Sequence, residues 1–354
     1  MPYKHVLKPL MFRFDPENVH DFMTSAGESF GKIGIARGTI GAMYGYHGPD
    51  ISKTVDGIRY RTPFLLSAGF DYNARLSRIL PYIGLGGEEA GSITARPCEG
   101  NPKPRLTRLP RSQSILVSKG LRNEGVDAII KRLKATPRAS VGGIDFVRGI
   151  SIARTNDAAS VPIEAGVEDY CYSFKRLNDE GVGDFYTLNI SCPNAFGAEA
   201  FNDPALLPKL LAAIKQIPCK KPIYVKMPIN IAWDRFEALL KVIDKYGLQG
   251  VVIGNLNKDY DSLDFREEAP ATYKGGLSGK PCTHPSTDLI GKTRQVYGKR
   301  FTIMGVGGVM SPETAMEKFD AGADLVQLIT GLIYEGPSLV KKMCTAYEAR
   351  QKNK

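Results

Sequence analysis

The sequence predicts an α/β fold, a (β/α)₈ TIM barrel with a small N-terminal helical extension. From about residue 60, eight short apolar runs alternate with helical segments. Strands that read as continuous apolar runs indicate a parallel sheet covered by helices on both faces, and eight such units fit one closed barrel. Polar or glycine-rich residues follow most of the runs, as at the carboxyl ends of barrel strands. A doubly wound open sheet is the alternative that the same pattern allows.

The extension is predicted over residues 1–45 and the barrel over residues 46–354. Residues 15–17 (Asp-Pro-Glu) supply an N-cap, a proline at the first helical position and an acid in the first turn, so a helix is expected to begin there. Apolar side chains recur at helical spacing over residues 19–33. Two interpretations stay open. Either the helices pack on the barrel, or their basic and apolar face lies in a membrane interface.

The barrel strands are predicted from the apolar runs themselves. They are residues 64–66, 91–94, 149–152, 186–190, 223–227, 250–253, 301–304 and 325–329. In a parallel barrel the carboxyl ends of all strands meet at one face. Side chains that directly follow the runs are therefore expected to converge on one mouth.

Composition excludes several classes of protein. Hydrophobic residues make up 43% and charged residues 24% of the 354 residues, which is ordinary globular usage and not that of disordered, collagen-like or coiled-coil chains. The six cysteines lie far apart without a CxxC pair, so we expect no metal site and no disulfide scaffold, and a reducing, cytosolic environment. The net charge of +10 could serve nucleic acid, an anionic membrane surface or acidic small molecules.

The sequence also indicates which contacts with membranes and nucleic acids to expect. No signal sequence opens the chain and no apolar run approaches the roughly 18 residues of a membrane-spanning helix. We therefore predict a cytoplasmic protein whose membrane contact, if it makes one, is peripheral and on the inner face of the cell membrane. A nucleic-acid-binding or scaffold protein on a barrel without activity is the third hypothesis. It is the weakest because the basic residues are spread along the chain without interleaved aromatic residues, so we expect no nucleic-acid partner.

Two glycine-bearing loops indicate a phosphate site. Gly305 to Gly308 follow the seventh predicted strand, and Thr330-Gly331 follow the eighth. Backbone N–H groups at glycines can approach a phosphate closely, and the loops after the last two strands are the usual phosphate site of barrels. Glycine also occurs at tight turns without a ligand. The pair of loops, rather than either one, therefore supports phosphate binding.

Five polar or nucleophilic residues lie at predicted strand ends. Lys226 can stabilise negative charge on a flavin ring or a phosphate, or extend to solvent instead. The amides of Asn189, Asn194 and Asn255 can exchange hydrogen bonds with the edge of a planar heterocycle, although each could merely cap a turn. A thiolate at Cys192 could take a proton from carbon as a general base, although a single cysteine is more often a small core residue.

Seven stretches of the chain carry a family likeness. They are residues 3–22, 68–71 (AGFD), 91–109 (GSITARPCEGNPKPRLTRL), 189–194 (NISCPN), 275–279 (GGLSG), 305–310 and 330–337 (TGLIYEGP). Over about residues 3–347 the sequence resembles the dihydroorotate dehydrogenases, and specifically the membrane-associated, quinone-using class 2.

The resemblance implies an FMN-dependent barrel that oxidises (S)-dihydroorotate to orotate in pyrimidine biosynthesis. A base takes a proton from C5 while a hydride leaves C6 for the flavin, and the electrons later pass to a quinone reached between the N-terminal helices. Catalytic roles fall to Cys192 and Lys226. The implied FMN-binding positions are Ala68, Gly69, Ser92, Ser151, Asn189, Lys226, Gly254, Gly276, Gly307, Gly308, Ile329, Thr330 and Gly331. The implied substrate-binding positions are Tyr72, Gly120, Leu121, Asn189, Asn194 and Asn255.

Several positions depart from the family pattern. Cys192 stands where class 2 has a serine, as in class 1 enzymes and dihydropyrimidine dehydrogenases, and because a free thiol ionises near pH 8.5 the chemistry survives the exchange. Tyr72 replaces a lysine that meets both flavin and substrate. Val117 replaces an asparagine of the substrate loop, Leu256 a threonine and Ser151 an asparagine. A positive charge and several hydrogen-bonding groups are therefore lost from the expected pocket.

These departures leave a second hypothesis open. The same barrel could act on another reduced pyrimidine or on an enone without a carboxylate, because Tyr72, Val117 and Leu256 cannot bind a carboxylate as charged or amide donors do. Lys119 or Arg122 could restore the lost charge if either reaches the pocket. Arg105 and Arg108, which lie in a matching stretch, are expected to hold their loop rather than contact a ligand.

Overall fold

Eight parallel strands form a closed barrel, as predicted. The computed structural model describes residues 3–197, 199–258, 260 and 275–352. The barrel strands are β1 (Phe64–Leu66), β2 (Gly87–Ile93), β3 (Val147–Ile152), β4 (Phe185–Asn189), β5 (Ile223–Met227), β6 (Gly250–Ile253), β7 (Thr302–Val306) and β8 (Leu325–Leu328). Each strand pairs in parallel with the next, and Val326 of β8 pairs with Phe64 of β1. This closure rules out the open-sheet alternative.

Strand β2 differs most from its prediction, because it begins at Gly87 rather than at residue 91. The charged side chains of Glu88 and Glu89 interrupt the apolar run, although both are fully buried in the structure. The register between β2 and β3 also shifts between Ala90 and Ile93. Such bulges redirect side chains and are frequent next to functional sites.

Apolar side chains fill the amino-terminal end of the barrel interior. An antiparallel hairpin of Lys53–Val55 and Ile58–Tyr60 covers that end. The side chains that pack together there are Val55, Tyr60, Leu65, Val147, Phe185, Tyr224, Val252, Met304 and Leu325. Because these side chains fill this end, a ligand is expected at the carboxyl ends of the strands.

Helical segments precede the barrel. They are a π-helix (Tyr3–Leu7), α1 (Lys8–Met11), α2 (Pro16–Lys32) and α3 (Gly34–Tyr44). The carboxylate of Asp15 accepts hydrogen bonds from the backbone N–H groups of Glu17 and Asn18, so the predicted start of α2 is confirmed. Phe22 and Ile35 are 69% and 84% exposed, whereas Glu17 is only 3% exposed. Within the described residues, no helix has both the length and the apolar character to span a bilayer.

Amphipathic helices surround the barrel. They are α4 (Val126–Ala135), α5 (Ile163–Asp179), α6 (Leu207–Lys215), α7 (Trp233–Lys245), α8 (Thr283–Tyr297), α9 (Pro312–Asp320), α10 (Thr330–Glu335) and α11 (Ser338–Lys352). In α7, for example, Phe236, Leu239, Leu240 and Ile243 form one buried stripe at helical spacing. Burial of each such side chain contributes about 1.5–3 kcal/mol.

A three-stranded antiparallel sheet lies outside the barrel. Its strands are Leu106–Leu109, Ser114–Val117 and Gly276–Gly279, with the middle strand paired to both others. The sheet joins the loop after β2 to the segment after β6. A further hairpin pairs Ser140–Val141 with Ile144–Asp145. None of these short strands was predicted.

Candidate active site

One cavity of about 530 Å³ extends from the N-terminal helices to the carboxyl ends of the barrel strands. Val19 and Met23 of α2 line one part, while Gly307 and Thr330 line another. The two regions that the sequence divides at residue 45 therefore share a single cavity.

Most of the predicted site residues line this cavity. They are Ala68, Gly69, Tyr72, Ser92, Gly120, Leu121, Asn189, Cys192, Asn194, Lys226, Gly254, Asn255, Gly307, Gly308, Ile329, Thr330 and Gly331. Val117, Leu256, Lys119, Arg108 and Arg122 line it as well.

Two predicted FMN-binding residues are not among the residues that line the cavity. Ser151 is fully buried, and its hydroxyl lies 2.7 Å from the hydroxyl of Ser92, which does line the cavity. Gly276 pairs with Val117 in the outer sheet, and a Cβ there would lie 2.5 Å from the Cβ of Leu256. Both small residues are closely packed against their neighbours, and their predicted contact with FMN stays a prediction.

Lys226 is the penultimate residue of β5 and lines the cavity wall. It is almost fully buried, and the Ser67 hydroxyl at 3.3 Å is its only hydrogen-bond acceptor among the described residues. Burial lowers the pKa of Lys226, while the nearby Glu89 and Cys192 act in the opposite direction. An ammonium carries three donors, so Lys226 can donate to a ligand. Ser67 follows β1 directly and was expected at the mouth as a strand-end residue, but no role was predicted for it.

The three predicted asparagines are held in different ways. Asn189 donates to the Ser92 hydroxyl at 2.8 Å, and Asn255 donates to the Asn189 side-chain oxygen at 3.3 Å. Asn194 donates to the Val117 carbonyl at 2.8 Å, which ties the loop after β4 to the end of the outer sheet. Two amides thus form one hydrogen-bonded array at the mouth, and the third joins two loops.

Cys192 lies in the cavity wall and is buried. Burial raises the pKa of its thiol to about 11, while the backbone of Asn194 and the charge of Lys226 act to lower it. A neighbouring buried carboxyl, Glu199, has its pKa raised to about 7, again chiefly by burial. The thiol is therefore protonated at neutral pH in the absence of a ligand.

The predicted phosphate loops have conformations that suit glycine. Gly307 and Gly308 follow β7 with φ values of 111° and 69°. A Cβ on Gly308 would lie 2.0 Å from the Thr283 hydroxyl, and one on Gly331 would lie 2.1 Å from the Val309 carbonyl. Both loops face the cavity, and their backbone can approach an anion without side chains intervening.

Residues of α2 that sequence reasoning did not select also reach the site. His20 approaches the Phe70 carbonyl at 2.8 Å through Nε2, and its ring lies 4.9 Å from that of Tyr72. Glu17 accepts hydrogen bonds from Lys119 and two arginines of the mouth loops. The sequence identified Glu17 only as a first-turn acid, a position that is usually exposed.

The two arginines expected to hold their loop make such contacts. Arg108 donates to the Phe14 carbonyl at 2.9 Å, and its guanidinium lies 4.6 Å from the centre of the Phe12 ring. Arg105 donates to the Asn101 carbonyl and to Glu17. Arg108 also lines the cavity, so its role extends beyond the loop.

The profile of the dihydroorotate dehydrogenase family matches residues 50–350. This chain belongs to the dihydroorotate dehydrogenase family. It is 34% identical over 343 residues to a dihydroorotate dehydrogenase (quinone) of Christiangramia forsetii, covering 96% of each chain. It is 35% identical over 349 residues to an enzyme of the same description from Salinispora arenicola, covering 98% of this chain and 99% of the other. These full-length matches place it with the quinone-type, class 2 members.

The fold of the dihydroorotate dehydrogenase family also appears in solved structures. A crystal structure of DHODH from Eimeria tenella in complex with ferulenol matches with a TM-score of 0.81 and 24% identity, covering 96% of this chain and 92% of that one. A ligand-free structure from the same organism matches with a TM-score of 0.82. At this identity the likeness establishes the barrel and its N-terminal helices.

Proposed function

We propose that this protein oxidises (S)-dihydroorotate to orotate in pyrimidine biosynthesis, using FMN, and passes the electrons to a quinone. The observation that carries the proposal is the single cavity that joins the barrel mouth to the N-terminal helices. The full-length similarity to dihydroorotate dehydrogenases (quinone) supports it. Such a cavity lets one cofactor meet a pyrimidine at one end and a quinone at the other.

The residues present fit FMN. Lys226 keeps donors free for an acceptor-rich ring edge, and the loops of Gly307, Gly308, Thr330 and Gly331 offer backbone to a phosphate. Further FMN contacts would come from Ala68, Gly69, Ser92, Asn189, Gly254 and Ile329. When bound, FMN supplies the hydride acceptor and the electron carrier that the protein side chains lack.

Cys192 would act as the class 1-like base, with its sulfur accepting the proton from C5 of the substrate. Burial favours the neutral thiol of Cys192. The sulfur therefore acts best as a base when a nearby positive charge stabilises its thiolate form. Lys226 supplies such a charge from the same wall of the cavity. Asn189, Asn194 and Asn255, together with Gly120 and Leu121, would orient the ring edge.

Residues 1–45 would form the quinone-binding and membrane-contacting region, with residues 46–354 as the FMN barrel. The exposed apolar side chains of Phe22, Phe30 and Ile35 on α2 and α3 support this division. Basic residues beside them would favour an anionic lipid surface, so the protein would lie peripherally on the inner face of the cell membrane.

A second candidate keeps the barrel and cofactor but changes the substrate to a neutral reduced pyrimidine or an enone. The observation that favours it is the position of Val117 and Leu256 in the cavity wall, where neither can hydrogen-bond to a carboxylate.

An anaerobic half-reaction separates these functions. The FMN-loaded protein would be mixed with dihydroorotate, dihydrouracil or dihydrothymine while flavin absorbance is followed. We expect dihydroorotate to bleach the flavin and form orotate, and a quinone to restore the colour. Bleaching by a neutral dihydropyrimidine alone would establish the second candidate. A protein that binds no FMN would contradict both.

A further inference from the structure

Lys119 places a buried ammonium group in the wall of the cavity. It follows the strand Ser114–Val117 and is 7% exposed. Its Nζ lies 4.9 Å from the centre of the Tyr72 ring, a cation–π contact. Tyr72 lines the same cavity. The ammonium is therefore beside a position that the sequence identified as part of the substrate pocket.

The loops that carry Lys119 and Cys192 are joined by hydrogen bonds. Asn194, two residues after Cys192, donates to the carbonyl of Val117, two residues before Lys119. Asn101 donates from its side chain to the Asn194 carbonyl at 3.1 Å and from its backbone to the Lys119 carbonyl at 3.2 Å. Lys119 is thus held at a fixed position relative to the base.

The ammonium group of Lys119 has more N–H donors than acceptors around it. Among the described residues its only hydrogen-bond acceptor is the Oε1 atom of Glu17, at 2.9 Å. An ammonium carries three donors, and a buried charged donor without an acceptor is costly. A ligand with acceptor oxygens in the cavity would satisfy the remainder.

The surroundings of Lys119 carry excess positive charge. The same Glu17 oxygen also accepts from Arg105 at 3.2 Å and from Arg122 at 3.1 Å, and Arg122 pairs in addition with Asp21. Three cations thus face two carboxylates, and Asp21 is half exposed. An anion in the cavity would balance the cluster.

We propose that Lys119 binds the carboxylate of the substrate and is the residue that selects an acidic dihydropyrimidine over a neutral one. The proposal rests on the proposed function, because it names the substrate of the same site. Tyr72, Val117 and Leu256 present no charge to a carboxylate. Among the described residues that line the cavity, Lys119 and Lys226 are the buried cations, and the proposed function assigns Lys226 to the flavin. Glu17 is a positioning residue, since it holds the Lys119 ammonium from the opposite side.

This arrangement makes helix α2 part of substrate selection. Glu17 lies in the first turn of α2, whereas Lys119 belongs to a loop of the barrel mouth. The helix that lines the quinone end of the cavity therefore also fixes the cation at the substrate end.

The test compares Lys119→Met with Lys131→Met, which removes an exposed lysine of α4. Orotate affinity is measured on the resting FMN-loaded protein from the change in flavin absorbance, and KM and kcat are measured with dihydroorotate. We expect Lys119→Met to weaken orotate binding and raise KM by about tenfold or more, the usual effect of losing a charged hydrogen bond, with little change in kcat. Lys119→Met should bind FMN as the wild type does, and Lys131→Met should match the wild type in every measurement.

Two further variants keep the test decisive. Lys119→Gln retains a donor without the charge and should show the same loss, so it replaces Lys119→Met if that variant fails to fold. Glu17→Gln should raise KM for dihydroorotate more than it lowers kcat. If wild-type protein is reduced by dihydroorotate and the Lys119 variants bind orotate normally, this proposal alone is overturned. If wild-type protein is not reduced by dihydroorotate at all, the proposed function fails and the proposal fails with it.

Discussion

The barrel and the N-terminal helices distribute apolar and charged side chains in opposite ways. In the barrel, apolar side chains such as Phe185 and Tyr224 fill the closed interior. In α2 and α3, Phe22 and Ile35 face outward while Glu17 is buried among cations. Burial of apolar surface therefore explains the barrel without reference to a ligand, whereas the exposed apolar side chains of the helices support the proposed contact with a membrane.

The largest expected effect comes from the barrel side of the comparison. Cys192→Ala should leave FMN bound but slow flavin reduction by dihydroorotate by about two or more orders of magnitude, because a positioned base is lost. Stopped-flow absorbance under anaerobic conditions measures the rate. Cys192→Ser, the class 2 residue, should recover part of it. Near-normal reduction in Cys192→Ala would remove this thiol from the mechanism.

The pH dependence of the same step follows from the buried thiol. Because burial raises the pKa of Cys192 to about 11, the thiolate fraction increases with pH throughout the alkaline range. The rate of flavin reduction should therefore rise from pH 7 to pH 10, and the rise should be absent in Cys192→Ala. A rate that is already maximal at pH 7 would show that the bound substrate and cofactor lower this pKa strongly.

The next effect tests the buried carboxylate of α2. Glu17→Gln leaves three cations without their shared partner and should lower the free energy of unfolding by about 3 kcal/mol. Asp21→Asn, which removes an exposed partner of Arg122, should cost no more than about 1 kcal/mol. Urea unfolding at pH 7 gives both values. Equal losses of unfolding free energy in the two variants would show that the buried Glu17 contributes no more to stability than the exposed Asp21.

The contribution of Glu17 to the free energy of unfolding also depends on pH, in a direction that its neighbours determine. Burial by itself would raise the pKa of Glu17, but Lys119, Arg105 and Arg122 together hold it below its ordinary value. The stabilisation from Glu17 is thus present above pH 4.5 and is lost as the pH falls. The difference in stability between wild type and Glu17→Gln should therefore shrink below pH 4.

A smaller effect tests the outward face of the helices. The double variant Phe22→Ser, Ile35→Ser should bind anionic lipid vesicles less and use a membrane-embedded quinone several-fold more slowly, while reduction of a soluble dye is unchanged. Stability should change by less than about 0.5 kcal/mol because both side chains are exposed. Unchanged quinone kinetics would assign these helices a packing role only. Deletion of residues 1–40 is a less specific test, since it also removes Glu17 from the site.

The smallest expected effect concerns a buried carboxyl group within the barrel. Glu88 is fully buried, and burial together with the nearby charge of Asp71 raises its pKa well above the ordinary value. The folded protein therefore holds a proton that the unfolded chain has lost, and stability falls as pH rises above 4.5. Glu88→Gln should raise the free energy of unfolding by about 1 kcal/mol at pH 8 and less at pH 5. Thermal unfolding at both pH values provides the comparison.

The barrel could be predicted because its signal is local. Apolar runs identify strands, and parallel strands end at one face, so the sequence alone assigns Lys226, Asn189 and Cys192 to one mouth. The residues missed are those whose position depends on distant parts of the chain. Nothing near Glu17 in sequence indicates that Lys119 and Arg105 meet it.

Two local errors have physical causes as well. The charges of Glu88 and Glu89 concealed the start of β2, because buried acids are rare in strands. The strands at 106–109 and 114–117 were missed because they pair with each other outside the barrel, so neither fits the alternation of strand and helix.

The cluster around Glu17 constrains how this protein can change over evolutionary time. Substitution of Glu17 removes the acceptor that three cations share, and substitution of Arg105, Lys119 or Arg122 removes part of the positive charge that offsets the buried carboxylate. Such positions are expected to vary together among related sequences, with loss of the glutamate accompanied by loss of one or more of its cations. If Lys119 binds the substrate carboxylate as proposed, related sequences that retain all four residues are expected to prefer acidic substrates. Sequences that have lost the four together are expected to prefer a different class of substrate.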